Sequence, residues 1–286
     1  MQILFKRLLN VSKPGIVMGN ALHVLAGSLL AFLYGLDYLN VLGVLVGTSL
    51  LIASACAVNN WLDRHIDAKM KRTKRREVVK GVLSQRQVYV YAAVAFVLGM
   101  VTLYFTTNSI VVAVGIVSYI MYVWVYGYFK RRTPWGTLVG SVPGSLPVVA
   151  GYVAVSGSVD LYSIVLFVLV VAWQMVHFYA IAIFRKDEYA AASVPVITVV
   201  RSEDAVKTKL IIWGIVYILV LGWLVRNDVF GQYTGGIMLG FGLWWCAALF
   251  YKSTPSIEKW ARRIFYRSLV LPYVMVLCGI VTVVLG

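Results

Sequence analysis

The chain is short of charge, and shorter still of one sign. Only 13% of its 286 residues are charged, with 11 acidic side chains against 26 basic ones. A soluble domain of this length needs a more polar surface, so that class is excluded. Cysteine is also scarce. Cys56, Cys246 and Cys278 stand far apart inside apolar stretches, without CxxC or other metal spacing. They offer no disulfide framework and read as small packing residues. The N-terminal MQILFKRLLNVSKPG shows neither a cleavable signal pattern nor an Arg/Ser-rich transit extension. The expected address is therefore a bacterial cytoplasmic (inner) membrane.

What the chain does have is hydrophobic residues, 61% of the total. They gather into nine stretches, near 15–35, 41–62, 87–106, 109–129, 137–156, 161–184, 208–225, 233–251 and 268–285. Each is long enough to cross a hydrocarbon core of ~30 Å. None shows the ten-residue alternation of a barrel strand, and backbone polar groups in lipid must be satisfied within the segment. The expected fold class is an all-α polytopic membrane protein with nine transmembrane helices, forming a single domain over 1–286. With a cytoplasmic N-terminus, every Lys and Arg except Arg226 falls on the inner side. Nine spans then put the C-terminus outside.

The net charge of +15 does not argue for nucleic acid, because the basic residues border spans and no separate soluble region exists to carry such a site. Membrane lipid or an anionic substrate fits better. Two inner loops, 63–86 and 185–207, are much longer than the outer connections and are the expected active loops. They follow the second and sixth spans, which permits two four-helix halves. The fifth span carries Pro143 and Pro147 within GSVPGSLPVVAG, and Gly140 and Gly144 spaced as GxxxG. Close packing on a neighbouring helix is one reading, and a kink that widens a ligand cavity is another.

The most informative stretch is NNWLDRHIDAKMKRTKRR at 59–76. On a helix, Asn59, Asp63 and Asp67 share one face. Two carboxylates at one place repel unless a cation lies between them, and a hard divalent ion such as magnesium, completed by phosphate oxygens, answers that need. Lys69, Lys71, Arg72, Lys74, Arg75 and Arg76 follow, suited to a diphosphate. The plainer alternative is ordinary surface ion pairing. Asp187 and Glu188, in RKDEY after the sixth span, could complete a second metal cluster or simply be solvated. Within the sixth span, His177 lies about two turns from the inner end, with Trp173 and Gln174 one turn deeper. An imidazole at that depth calls for a cavity or a partner. His23 and His65 are weaker candidates.

These residues carry a resemblance. NxxxDxxxD at the end of the second span, the nine spans and the acidic loop after the sixth resemble the UbiA superfamily of intramembrane prenyltransferases. SKPGI at 12–16, NNWLDRHIDAKMKRTKRR at 59–76, WGTLVGS at 135–141 and WQMVHFYAIAIF at 173–184 are similar to its haem-farnesylating branch, over positions 12 to about 200. The resemblance implies a UbiA-type helical bundle with Mg²⁺ as cofactor. It implies transfer of a farnesyl group from farnesyl diphosphate to a vinyl group of haem b, water addition, and release of haem O and diphosphate. A haem A synthase or terminal oxidase assembly is the implied partner. Asn59, Asp63 and Asp67 would hold magnesium and diphosphate, and Arg72, Lys74 and Arg76 would contact phosphate oxygens. Lys13, Lys130 and Arg131 are further candidates for the same anion. His177 would meet haem, as axial ligand or beside the reacting vinyl, with Trp173 and Gln174 next to it. Asp187 or Glu188 would bind a second metal.

The sequence departs from the branch pattern at Val176, where WQxPH has proline, at RTKRR in place of RTKNR, and at Glu188, where an aspartate precedes tyrosine. The last leaves open which carboxylate is the ligand. Trp61, Tyr122, Trp124, Trp173 and Tyr179 are candidates to stabilise positive charge or stack on haem. Two other classes remain: a prenyltransferase acting on a quinone precursor or another aromatic ring, and a transporter.

Overall fold

The computed structural model describes residues 2–251 and 256–285. Residues 252–255, between the expected spans 233–251 and 268–285, lie outside the described residues, as do Met1 and Gly286. All regular elements in the described residues are helical. In chain order they begin with α1 (Gln2–Val11), α2 (Pro14–Leu30), α3 (Tyr38–Leu62), α4 (Arg64–Asp67), α5 (Gln85–Thr106), α6 (Ser109–Ile120) and α7 (Gly127–Arg132). There follow α8 (Gly136–Ser156), α9 (Leu161–Phe184), α10 (Lys186–Ala191), α11 (Ile197–Val200), α12 (Glu203–Arg226), α13 (Gln232–Phe250), α14 (Ile257–Ser268) and α15 (Leu271–Leu285). A π-helical turn, Met121–Tyr126, joins α6 to α7 without interruption.

The helix starts are written in polar side chains. Asp37, Ser84, Asn108, Asp160 and Ser202 each accept a hydrogen bond from a backbone N–H of the first turn, and Ser84 with Gln87 and Asp160 with Ser163 complete capping boxes. The outward faces are apolar. Helix α5 buries Val88, Ala92, Ala95, Gly99 and Leu103 and exposes Val90, Val94, Val97 and Val101. A helix hydrophobic all round, on the outside of a bundle, faces lipid. Among the described residues eight helical stretches are long and apolar enough to cross a membrane, with Ser109–Arg132 and Ile257–Leu285 each counted once. The chain is a multi-pass membrane protein.

Three boundaries differ from the sequence reading. The first span, expected over 15–35, ends at Leu30, giving a shorter apolar helix of 17 residues. The chain turns through Phe32–Tyr34 and leaves at Gly35, whose φ of 91° suits glycine. The last span starts at Leu271 rather than 268, because α14 ends at Ser268 and Pro272 supports a fresh helix start. The second long inner loop is shorter than 185–207, since α12 begins at Glu203.

Two close approaches set the middle of the bundle. A Cβ on Gly151 would stand 1.9 Å from the Val24 carbonyl oxygen, and one on Gly27 would stand 2.1 Å from that of Val148. Only glycine permits this α2–α8 contact. On α8, Pro147 has no N–H for the Pro143 carbonyl, and the Ser118 hydroxyl of α6 donates to it at 3.2 Å instead. At one end of the bundle the two long loops pack on each other through Met70, Ala192 and Val194.

Candidate active site

The NN pair of the motif anchors the chain before α2. Asn60 donates to the Val11 carbonyl at 2.5 Å, and Asn59 accepts from Lys13 Nζ at 3.2 Å. Lys13 sits in the left-handed backbone region, φ 53°, an uncommon choice for a residue with a side chain and a form of strain found at functional sites. Burial pulls its ammonium down to about 8, and the nearby Arg76 and Lys130 push the same way.

Regular helix ends at Leu62, but the i to i+4 bonds continue from Asp63 N–H to Asn59 and from Asp67 N–H to Asp63. The expected common face survives, with a different occupancy. Asp63, 1% exposed, accepts from Lys130 Nζ at 2.6 Å and from an Arg131 guanidinium nitrogen at 3.0 Å. Burial raises the cost of its charge, yet Lys130 and Arg131 outweigh that and hold the carboxyl below the usual carboxylate range. Asp67, also buried, pairs with Arg76. The two carboxylates therefore do not face each other bare. Each has its own basic partners, Lys130 and Arg131 from α7 for Asp63 and Arg76 from the following loop for Asp67. The alternative of exposed ion pairing fails, because both acids are buried.

Behind this polar end lies a cavity of about 460 Å³. Lys13, Asp67, Arg72, Arg76 and Lys130 line its charged end. Along α3 its lining runs from Asn59 to Thr48, about 16 Å of helix. Gly140, Pro143, Gly144 and Pro147 of α8 also line it, so the fifth span both packs closely and shapes the cavity. On α9 the cavity reaches Trp173, Gln174 and His177. Trp173 stacks on His177 with ring centroids 5.0 Å apart and meets His23 edge-on at 5.1 Å. His177 Nδ1 bonds Ser268 Oγ at 2.7 Å, and Trp173 Nε1 donates to the Ser268 carbonyl at 3.0 Å. Gln174 Nε2 reaches Ser145 Oγ at 3.4 Å, while its Oε1 has no protein partner.

One cavity thus joins a cationic, carboxylate-bearing end to a pocket of aromatic rings and imidazoles. The model of the UbiA prenyltransferase family matches residues 21–270. The chain belongs to that family. Protoheme IX farnesyltransferase 2 of Chromobacterium violaceum is 39% identical over 273 residues, 93% of this chain and 89% of the relative. The protoheme IX farnesyltransferase of a Marinomonas species is 38% identical over 270 residues, 93% and 91% of the two chains. Among solved structures, a UbiA homologue from Aeropyrum pernix shares the fold with a TM-score of 0.77 at 16% identity, over 93% of this chain and 97% of that one. A UbiA homologue from Archaeoglobus fulgidus, bound to GPP and Mg²⁺, gives 0.70 at 12% identity, over 97% and 99%. The chain is thus an enzyme of the prenyltransferase class with the UbiA fold.

In this UbiA prenyltransferase the basic and acidic candidates divide. Lys13, Arg72, Arg76 and Lys130 reach the cavity, and Arg131 acts behind it on Asp63. Lys74 is exposed and does not line the cavity. Asp187 is exposed, and Glu188 is engaged by Arg185 at 2.6 Å. Neither lines the cavity; from that loop Tyr189, Val194 and Val196 do. Among the described residues no three His, Cys, Asp or Glu side chains form a ready metal cage. His65 is exposed.

The aromatic candidates divide too. Tyr122 and Trp173 line the cavity, whereas Trp61 lies under the Arg64 guanidinium, Trp124 is exposed on the outer face, and Tyr179 is buried away from the cavity. Sequence reading passed over Tyr119 and Tyr126, both cavity-lining, and the Tyr122–Tyr126 stack at 5.5 Å. The π-helical turn that contains this pair carries no sequence signal beyond a run of aromatics. Cys56, a buried free cysteine, packs into the cavity wall.

Proposed function

We propose that the chain transfers a farnesyl group from farnesyl diphosphate to a vinyl group of haem b, and that water addition completes haem O with release of diphosphate. The observation that carries this reading is the single cavity, charged at one end and lined by His177 and Trp173 deeper in. A prenyl diphosphate and a planar, metal-bearing ring need those two environments in one space. Relatives at 38–39% identity named protoheme IX farnesyltransferase support the same acceptor and donor.

The donor set fits magnesium. Asn59, Asp63 and Asp67 offer hard oxygens on successive turns, each now met by a basic side chain, Lys13 on Asn59 Oδ1, Lys130 and Arg131 on Asp63, and Arg76 on Asp67, in the place a cation would take. These three residues would hold the ion, which supplies charge neutralisation for the departing diphosphate. Asp187 and Glu188 remain candidates for a second ion only if the loop rearranges.

The chain's own residues do the rest. Lys13, Arg72, Arg76 and Lys130 surround the diphosphate and stabilise the charge that grows on it as the allylic C–O bond breaks. Lys130, Arg131 and Arg76 neutralise Asp63 and Asp67 until substrate arrives, then exchange partners toward phosphate oxygens. Lys74 adds to the positive field from outside. The apolar interior excludes water while the vinyl carbon attacks the allylic cation. The rings of Tyr119, Tyr122 and Tyr126 face the developing positive charge. The new cation beside the porphyrin then takes up water and loses a proton. His177, Trp173 and Gln174 hold the haem, and His177 is its expected axial ligand.

In the membrane, α2 completes a set of nine spans. The end bearing Lys13, the 63–86 loop and Lys130–Arg132 then lies on the cytoplasmic side, with the C-terminus outside. The membrane is a bacterial inner membrane, and haem O passes to a haem A synthase or terminal oxidase assembly. The test is incubation of purified protein with haem b, farnesyl diphosphate and Mg²⁺, with and without chelator, followed by mass analysis of the extracted haem. Haem heavier by a farnesyl group and one water, only when metal is present, supports the proposal. Unmodified haem with prenylation of a quinone precursor moves the acceptor to an aromatic ring, and no diphosphate release at all removes the reaction.

A further inference from the structure

A buried hydroxyl at the end of α14, that of Ser268, meets His177 at Nδ1. Ser268 is 0% exposed and is the last residue of α14, at the edge of the last expected span, where the sequence marked it for no role. The last four carbonyls of a helix have no following helical N–H. Two of them in α14 are satisfied by side chains: the Phe265 carbonyl accepts from Ser268 Oγ at 2.6 Å, and the Ser268 carbonyl accepts from Trp173 Nε1 at 3.0 Å.

A serine hydroxyl has one proton. Committed to the Phe265 carbonyl, it cannot also be given to His177. The 2.7 Å contact between Ser268 Oγ and His177 Nδ1 then requires the imidazole to donate. A neutral imidazole that donates through Nδ1 carries its lone pair on Nε2. Among the described residues His177 has a side-chain hydrogen bond at Nδ1 alone, and its ring lines the cavity. Trp173, stacked on the ring from one turn away and tied to the same serine, keeps the imidazole from rotating.

We propose that Ser268 is a positioning residue: it fixes His177 as the Nδ1–H tautomer and so presents an unprotonated Nε2 to the iron of the haem substrate. The inference rests on the haem reading above. A partner on the second ring nitrogen orients a metal-bound histidine and raises its basicity, and removing such a partner costs about 10–100-fold in metal affinity.

The test has two arms on the full chain in detergent. In the first, ¹⁵N-histidine-labelled protein without haem is compared with His177→Gln to assign the His177 resonances. The expected result is a protonated Nδ1 and a bare Nε2 in the wild type, and a mixture of tautomers in Ser268→Ala. A proton on Nε2 in the wild type overturns the inference. In the second arm, haem b is titrated in and the iron–imidazole vibration recorded. Ser268→Ala should weaken haem binding about 10–100-fold and lower that frequency, with farnesyl diphosphate binding unchanged. Ser268→Thr, which keeps the hydroxyl, should retain the wild-type band. The Trp173 bond goes to the backbone of residue 268, so the alanine variant keeps that anchor. Haem bound through His177 but indifferent to Ser268→Ala overturns this inference alone. A wild-type chain that binds no haem sinks both the inference and the proposed acceptor.

Discussion

Asp63→Asn is the perturbation that separates architecture from chemistry at the charged end. The side chain keeps its size, but Lys130 and Arg131 lose the charge they flank at 2.6 and 3.0 Å. Removing one partner of a fully buried pair costs about 3–5 kcal/mol. Here Asp63 is buried while Lys130 and Arg131 keep 20% and 35% of their side chains exposed, so water screens part of the loss. The expected cost is about 2–3 kcal/mol. That corresponds to an apparent unfolding temperature lower by on the order of 5–10 °C. Turnover should fall at least about 100-fold, because the departing diphosphate loses charge stabilisation.

The double variant Asp63→Asn/Lys130→Met removes the stranded ammonium. It should regain more than about 1 kcal/mol over the sum of the single changes, with turnover still absent. The assay is thermal unfolding at one scan rate in one detergent, paired with haem product analysis on the same samples. A fully additive cycle would refute the buried ion pair as an element of the fold. Recovery of turnover in the double variant would refute the role of Asp63 in holding metal.

Asp67→Asn should lower turnover with a smaller thermal effect, since Asp67 has one basic partner where Asp63 has two and its side chain is 7% exposed against 1%; equal destabilisation in the two aspartate variants would contradict the difference in their surroundings. Gly151→Ala sets a Cβ 1.9 Å from the Val24 carbonyl and should destabilise by about 1–3 kcal/mol, read as a lower unfolding temperature, while Gly19→Ala, with open space around it, should not. Ala55→Phe places a ring in the cavity wall and should shift donor preference toward shorter allylic diphosphates; an unchanged competition between geranyl and farnesyl diphosphates would argue that the chain lies elsewhere. His177→Ala should weaken haem binding and leave farnesyl diphosphate binding intact, as measured by separate titrations.

Much of this protein was legible without coordinates, because the constraints behind it are local. Lipid demands long apolar helices with internally satisfied backbones, so most spans could be placed to within a few residues. Carboxylates and a basic run beside a span announce a charged centre, so Asn59, Asp63, Asp67, Arg72 and Arg76 could be singled out. What sequence spacing could not supply was which groups meet from different helices. Lys130 and Arg131 reach Asp63 from 67 and 68 positions away, and Ser268 reaches His177 across 91. Lys74 and Asp187, plausible by composition, face outward because the loop that carries each buries other residues. Helix periodicity and charge composition set the class and the chemical vocabulary of the site. The pairing of side chains across the bundle, which decides whether a carboxylate is bare or an imidazole carries its proton on Nδ1, exists only once the helices are packed.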